Sequence, residues 1–310
     1  MTRRVAVLMG GWSPEREVSL VSGKACAEGL REGGHEVIEY DVKRDLRALV
    51  DFLRPSAGGG PDVVFNALHG RYGEDGCIQG VLEIMRVPYT HSGVLASAIA
   101  MDKPMARHVF TSLGLRVAEG KVMERRLLAS GDPMPRPYVV KPIDQGSSVG
   151  VHIVREGDNL AAVEAAEAAF GERVLIEKFV PGRELTVAVM HDKAVAVTEL
   201  RPKTRFYDYE AKYTDGITEH LIPAPIPAEI YELAKEWALT AFQALGCDGL
   251  ARADFRWNDA EPGTSGLVIL ELNTQPGMTP LSLAPEQAKW AGISWPELMT
   301  WMIDHARSPV

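Results

Sequence analysis

Arg4-Val-Ala-Val-Leu-Met9 is a compact apolar run that stops at Gly10-Gly11, and Ser13-Pro14-Glu15 follows at once. A short apolar block that ends on glycines reads as a buried strand of a parallel sheet. Serine as a cap, proline in the first turn and an acid at the positive end of the dipole read as a helix start. The pattern predicts a helix from Glu15 to about Arg31, stopped by Gly33-Gly34. His35 to Val42 predicts a second strand and Asp62 to Asn66 a third, followed by Leu68-His69-Gly70. This alternation predicts an α/β, Rossmann-like layer around a parallel sheet. Such sheets bind ligands at the carboxyl ends of their strands, where Gly10, Gly11, Glu15 and His69 fall.

The 310 residues exceed one typical core, so further domains are expected. From about Ser97 to Pro181 the pattern changes. A helix near Lys103 to Leu113 leads to strands at Tyr138 to Lys141 and Val174 to Lys178, with an alanine-rich helix at Asn159 to Phe170 between them. After Arg183 come antiparallel-looking strands, Glu184 to Met190 and Ala194 to Leu200. A polar aromatic loop, the helix Ala228 to Leu245, and the strand pair Gly249 to Trp257 and Gly266 to Asn273 follow. The second half therefore reads as α+β.

Composition narrows the partners. With 46% hydrophobic and 24% charged residues the chain is ordinary globular protein. A net charge of −9 argues against nucleic acid or an anionic membrane surface, so an anionic ligand must be held by local basic groups and backbone amides. Cys26, Cys77 and Cys247 are widely spaced, with neither disulfide framework nor zinc spacing, which suits a reducing cytoplasm. No apolar run is long enough to span a bilayer, and Met1 to Met9 is too short for a signal peptide.

The strongest chemical signal is the last strand pair. Side chains alternate along a strand, so Arg252 and Asp254 point one way, as do Glu271 and Asn273 on the next strand. Ala251, Ala253, Phe255, Leu270 and Leu272 are expected to fill the opposite face. Two carboxylates and an amide oxygen on one surface suit Mg²⁺, which shares its coordination with waters and nucleotide phosphates. A second signal is Lys141-Pro-Ile-Asp-Gln-Gly-Ser-Ser-Val-Gly150. Small residues let backbone amides approach a phosphate, Ser147 and Ser148 add donors, and Lys141 adds a point charge; taken alone the stretch reads equally well as an ordinary flexible loop, because Gly-Ser-Ser turns are frequent. Neither a Walker A motif nor a Gly-x-Gly-x-x-Gly after the first strand is present. A third is Glu177-Lys-Phe-Val180 with Gly182-Arg-Glu184, an extended crossing that can offer backbone groups to an adenine edge and Glu184 to a ribose. Taken alone it reads as a strand and turn with exposed charges. A fourth is Phe206 to Tyr213, either a buried loop anchor or a lid with Lys212 and Tyr213 facing inward. His69 by itself reads as a structural histidine.

Together these stretches resemble the D-alanine–D-alanine ligases of the ATP-grasp superfamily. The resemblance runs from Val5 to about Ala291. It rests on Met9 to Ser19, Ala67 to Gly70 with Gly73 to Gly76, Pro88 to Thr90, Met101 to Lys103, Lys141 to Gly150 and Phe206 to Tyr213. It continues through Arg252 to Asp254, Glu271 to Asn273, Gln275 to Thr279, and Ser282-Leu283. It implies an ATP-grasp fold preceded by the N-terminal parallel-sheet domain: residues 1–96, a central domain 97–182, and a C-terminal domain 183–310 with a lid at 204–215. It assigns ATP to Lys103, Lys141, Ser148, Glu177, Lys178, Val180, Glu184 and Lys212, and two Mg²⁺ ions (Mn²⁺ as a substitute) to Asp254, Glu271 and Asn273. Glu15, Ser147 and Tyr213 become a hydrogen-bonded triad, with Glu15 also on the first D-alanine's ammonium. Arg252 and the amide of Gly277 face the tetrahedral oxyanion. His69, Ser282 and Leu283 join the substrate site, the last two receiving the second carboxylate. The activity implied is ATP-dependent joining of two D-alanines through an acyl phosphate, for peptidoglycan precursors, by a cytoplasmic homodimer. Tyr213 implies an amine rather than a hydroxyl nucleophile. Two rivals remain: a ligase of the same fold with another carboxylate–amine pair, and a nucleotide-binding regulator without catalysis.

Overall fold

The computed structural model describes residues 1–54, 60–146, 150–160, 163, 171–203, 218–279 and 281–309. Its first layer is the expected parallel sheet. β1 (Arg4–Gly10) lies between β2 (Glu36–Val42) and β3 (Val63–Asn66), parallel to both. Five of β1's residues are fully or nearly fully buried, Val5 to Met9, because both faces are covered. α1 (Arg16–Glu32) packs on one face. α2 (Leu46–Leu53) and α3 (Cys77–Met85) put Leu49, Leu53, Ile78 and Leu82 into the core on the other. The start of α1 differs from expectation. Glu15 holds the N-cap position and Ser13 does not cap. The Ser13 hydroxyl instead donates to the His69 carbonyl at 2.6 Å and accepts from Glu15 N–H at 3.2 Å, tying the helix start to the loop after β3. The competing acceptor on that loop won.

α4 (Val94–Met101) and α5 (Lys103–Ser112) follow. Asp102 caps α5, its side chain accepting from Met105 N–H at 2.9 Å, with Pro104 in the first turn. A four-stranded antiparallel sheet comes next, ordered β4-β7-β5-β6. Its strands are β4 (Gly120–Glu124), β5 (Tyr138–Pro142), β6 (His152–Val154) and β7 (Arg173–Lys178). It has its own small core of Leu128, Tyr138, Val140, Val154, Val174 and Ile176. Most of the expected helix from Asn159 to Phe170 lies outside the described residues.

The third sheet is antiparallel, ordered β10-β9-β8-β11-β12. Its strands are β8 (Arg183–Met190), β9 (Lys193–Pro202), β10 (Thr218–Leu221), β11 (Leu250–Trp257) and β12 (Leu267–Asn273). α6 (Ala228–Ala244) covers one face. α4 and α5 add Ala96, Ala100, Ala106 and Phe110 to that same core. α7 (Leu283–Trp290) and α8 (Trp295–Asp304) close the other side. There Ala188, Met190 and Leu250 of this sheet share one core with Val5, Val7, Phe65 and Leu30 of the first layer, and with Leu298, Met299, Met302 and Ile303 of α8. No helix among the described residues is long and apolar enough to cross a membrane.

Candidate active site

Two clefts of about 850 and 880 Å³ open where the sheets face one another, and both are lined by Lys103 and Glu271. The larger lies between the four-stranded and five-stranded sheets. Lys141, Glu177, Lys178, Val180 and Glu184 all line it, joined by Val139, Phe179 and Leu270 as its apolar walls. Glu177 is 2% exposed, and a buried lone carboxylate would be costly. Arg107 of α5 and Lys141 of β5 both pair with it. The chain from Val180 to Glu184 is held by Arg256 of β11. Its guanidinium donates to Val180 O at 3.1 Å, to Gly182 O at 2.9 Å and to Glu184 Oε2 at 3.3 Å. The crossing thus runs along the cleft with a bend at Gly182, its backbone fixed by a charge-assisted clamp.

On β11 and β12 the expected alternation holds at the charged positions. Arg252 stands opposite Asn273 and Asp254 opposite Glu271. All four are half-buried, and Ala251, Ala253, Phe255 and Leu272 are buried behind them. Leu270 corrects the expectation. The register shifts between Asp254 and Phe255, so Phe255 pairs with Ile269 and Leu270 has no partner. A bulge residue escapes the alternation, and Leu270 turns onto the open face beside Glu271, where it lines the larger cleft. Arg252 grips Asp254 in a bidentate pair, Nε to Oδ1 at 2.8 Å and Nη2 to Oδ2 at 2.7 Å, and the Thr186 hydroxyl donates to Oδ1 at 2.7 Å. Asn273 Oδ1 accepts from Gln275 N–H at 2.8 Å. An amide oxygen keeps a second lone pair, so two carboxylates and one carbonyl oxygen remain as a hard-oxygen donor set that fits Mg²⁺.

The second cleft is more acidic. Glu15, His69 and Glu74 line it from the first layer, Lys103 from α5, Gly146 from the loop after β5, and Arg252, Glu271 and Asn273 from the last strand pair. Gly277, Ser282 and Leu283 close the far end. Glu15 and Glu74 are buried, at 5% and 6% exposure. The Lys103 ammonium donates to Gln145 O at 2.6 Å and stands 3.7 Å from Glu271. Burial drives the His69 imidazole down to about 4, so it is neutral near pH 7, with Nε2 3.3 Å from the Ser22 hydroxyl. Ser282 Oγ accepts from Thr279 N–H at 2.9 Å, shaping the turn beside Gly277, where a Cβ would meet that oxygen. A buried amide network ties this floor to the first layer. Asn66 donates to Gln275 Oε1 at 2.9 Å and to Gly73 O at 3.0 Å, and Gln275 donates in turn to Leu68 O.

All sequence-expected site residues among those described line one or the other cleft. Ser147, Ser148, Lys212 and Tyr213, with the lid, lie outside the described residues. The residues that sequence reading missed are Glu74, Arg107, Thr186, Arg256 and Gln275. Glu74 and Gln275 stood within noticed motifs. Arg107 and Arg256 carried no local signal, because each acts on a segment about 70 positions away in the chain.

The residues from 118 to 304 match the family model described as D-ala D-ala ligase C-terminus, and residues 45–92 match D-ala D-ala ligase N-terminus. A protein of Parvibaculum lavamentivorans named D-alanine–D-alanine ligase is 56% identical over 306 residues, 98% of this chain and 97% of that one. A protein of the same name from Granulibacter bethesdensis is 53% identical, covering 98% of both. The crystal structure of D-alanine–D-alanine ligase from Bacillus anthracis complexed with ATP superposes with a TM-score of 0.81 at 31% identity, covering 98% of this chain and 97% of that one.

Proposed function

Because this chain belongs to the D-alanine–D-alanine ligase family, we propose that it joins two D-alanines into D-alanyl-D-alanine at the expense of ATP, for peptidoglycan precursors. Its fold is ATP-grasp, preceded by a parallel-sheet layer. The observation that carries the assignment to this site is that the two clefts adjoin. Lys103 and Glu271 line both, so the end of a nucleotide in one and the carboxylate of a small amino acid in the other would meet at that pair.

In this assignment Val180, Glu184, Glu177 and Lys178 line the adenosine end, with Leu270 and Phe179 as its apolar walls. Lys103, Lys141, Ser148 and Lys212 face the phosphates. Lys141 is aimed by Glu177, whose second cation, Arg107, keeps that buried acid neutralised when Lys141 turns to an anion. Asp254, Glu271 and Asn273 would hold two Mg²⁺ ions, which supply charge neutralisation for phosphoryl transfer. Glu15 holds the first ammonium and is oriented with Ser147 and Tyr213. The first carboxylate attacks the γ-phosphate and becomes an acyl phosphate; the second amine then attacks the acyl carbon. Arg252 and the Gly277 amide face the developing oxyanion, and His69, Ser282 and Leu283 shape the second substrate's place. Asp254 holds Arg252 in plane for this, by the bidentate pair.

The division into 1–96, 97–182 and 183–310 belongs to the same proposal, with one refinement. α4 and α5 pack into the core of the five-stranded sheet, so the unit that moves against it is best taken as the four-stranded sheet and its loops. The lid at 204–215, the homodimer and the bacterial cytoplasm follow from family membership. Three free cysteines and the need for ATP agree with the compartment. The test is phosphate release with ATP, Mg²⁺ and D-alanine beside L-alanine, with products identified by mass. Phosphate and D-alanyl-D-alanine from D-alanine alone are expected. ATP binding without that product would favour another carboxylate–amine pair.

A further inference from the structure

The acidic cleft holds a carboxyl that the mechanism above does not use. Glu74 sits in the loop between β3 and α3, buried, lining the same space as Glu15. Its Oε1 accepts the Gly70 N–H at 2.8 Å. Among the described residues no cation is within ion-pair distance of it. Gly146 lies against both acids: a Cβ built there would stand 3.3 Å from Glu74 Oε1 and 3.4 Å from Glu15 Oε2. The two carboxyls thus flank one small space that glycine leaves open.

Ligation makes a demand that Glu15 alone cannot meet. Both amino acids arrive as ammonium ions near neutral pH. The first amine takes no part in bond making and is best held charged. The second must lose a proton before its nitrogen has an electron pair to give. An ionised carboxylate serves the first amine, and a proton acceptor is needed for the second.

We propose that Glu74 is the catalytic base that takes this proton from the second amino acid's ammonium, a role that rests on the ligase assignment. An N–H bond of the ammonium breaks; the proton goes to the Glu74 carboxylate and the electron pair stays on nitrogen. That pair forms the C–N bond at the acyl carbon, and the carbonyl π pair moves onto oxygen. When it returns, the C–O bond to phosphate breaks and phosphate leaves with the pair. The nitrogen's surplus proton departs with the phosphate.

The surroundings suit this task. The titratable and charged groups that line the cleft with Glu74 are Glu15 from the start of α1, His69 from its own loop, Lys103 from α5, Arg252 from β11 and Glu271 from β12, and the Gly70 N–H lies against its carboxyl. Burial first, then Glu15, push the Glu74 carboxyl up to about 8, against the Gly70 N–H and Lys103. A base is most effective when its affinity for the proton is matched to the working pH. His69, the other candidate in the cleft, is held near 4 and takes up a proton far less readily.

Glu74→Gln tests the proposal, because the amide oxygen still accepts from Gly70 while the base is gone. Two nucleophiles are compared: D-alanine, and hydroxylamine, which is uncharged near neutrality and needs no base. Dipeptide formation is expected to fall about 10²–10⁴-fold, the usual worth of general base catalysis, while D-alanyl hydroxamate forms at the wild-type rate. Raising the pH should restore part of the dipeptide rate in the variant. A parallel loss of both products, or an unchanged dipeptide rate, overturns the proposal. Should the glutamine variant fail to fold, Glu74→Asp takes its place, with the same selective loss of dipeptide expected and the same two outcomes overturning it. Wild-type protein that makes neither product would dismiss the ligase assignment itself, a different result from either.

Discussion

Gly182→Ala should damage nucleotide binding well beyond what its size suggests. Gly182 has φ +92, a conformation that costs an L-residue roughly 1–2 kcal/mol. Its new Cβ would also stand 2.2 Å from Trp257 O and 2.9 Å from Asn258 Cα, both backbone atoms that no rotamer can move aside. Relief requires the segment to shift by about 1 Å, judged against an ordinary packing distance of ~3.5 Å. That shift pulls Val180, Gly182 and Glu184 off the Arg256 clamp, where hydrogen bonds to a charged group are worth roughly 1.5–3 kcal/mol each. Losing one such bond plus the strain gives about 3–4 kcal/mol. Gly114→Ala is the control, with φ +78 and nothing within 4 Å of its Cβ, so it carries the strain alone. Urea melts and calorimetric ATP titration of both variants decide the matter. Gly182→Ala should be the less stable by about 2 kcal/mol, and it should bind ATP more weakly than Gly114→Ala because the displaced crossing lines the cleft. Equal stability and equal ATP affinity in the two variants would refute the clamp argument.

Other expectations are simpler. Arg252→Ala should stay folded yet lose about 10²–10³-fold in turnover, the usual worth of one oxyanion donor; wild-type kinetics would remove Arg252 from the chemistry. D-lactate should give negligible ester near neutral pH, as Tyr213 implies, and comparable rates with D-lactate and D-alanine, read by mass, would contradict it. His69 and His91 are buried and both held near 4, against 6.5 when unfolded. Their neutral forms therefore favour the fold above pH 6.5, and that contribution is lost as pH falls toward 4. At pH 5 each should cost about 2 kcal/mol relative to pH 7, so His91→Asn should flatten the fall of stability between those pH values; an unchanged slope in urea melts would count against it.

What could be read from the chain, and what could not, divides by range. β1, β2 and β3 were legible because glycines and an alternating strand–helix rhythm are local. The face bearing Arg252, Asp254, Glu271 and Asn273 was legible because strand alternation is local too. Leu270 escaped because a bulge is decided by the partner strand, not by the residue that bulges. Ser13 was misplaced as a cap because its acceptor, the His69 carbonyl, comes from a loop 56 residues on. Arg107 and Arg256 look like any surface arginine until β7 and the Val180–Glu184 crossing are brought against them. Glu74 gave the motif but not the burial that makes its carboxyl unusual.

The core that α8 shares with the first layer bears on how the chain folds as it is made. Leu298, Met299, Met302 and Ile303 cover Val5, Val7, Leu30 and Phe65, and Trp295 sits on α1, its indole N–H donating to Ala25 O at 3.1 Å. The first β-α-β unit, complete at Val42, leaves the ribosome about 250 residues before its covering helix, which starts at Trp295. Until then one apolar side of that unit stays open, while the four-stranded sheet, with a core drawn from neighbouring segments, can settle as soon as it emerges. Removing the last fifteen or so residues should therefore harm the beginning of the protein, not merely its end.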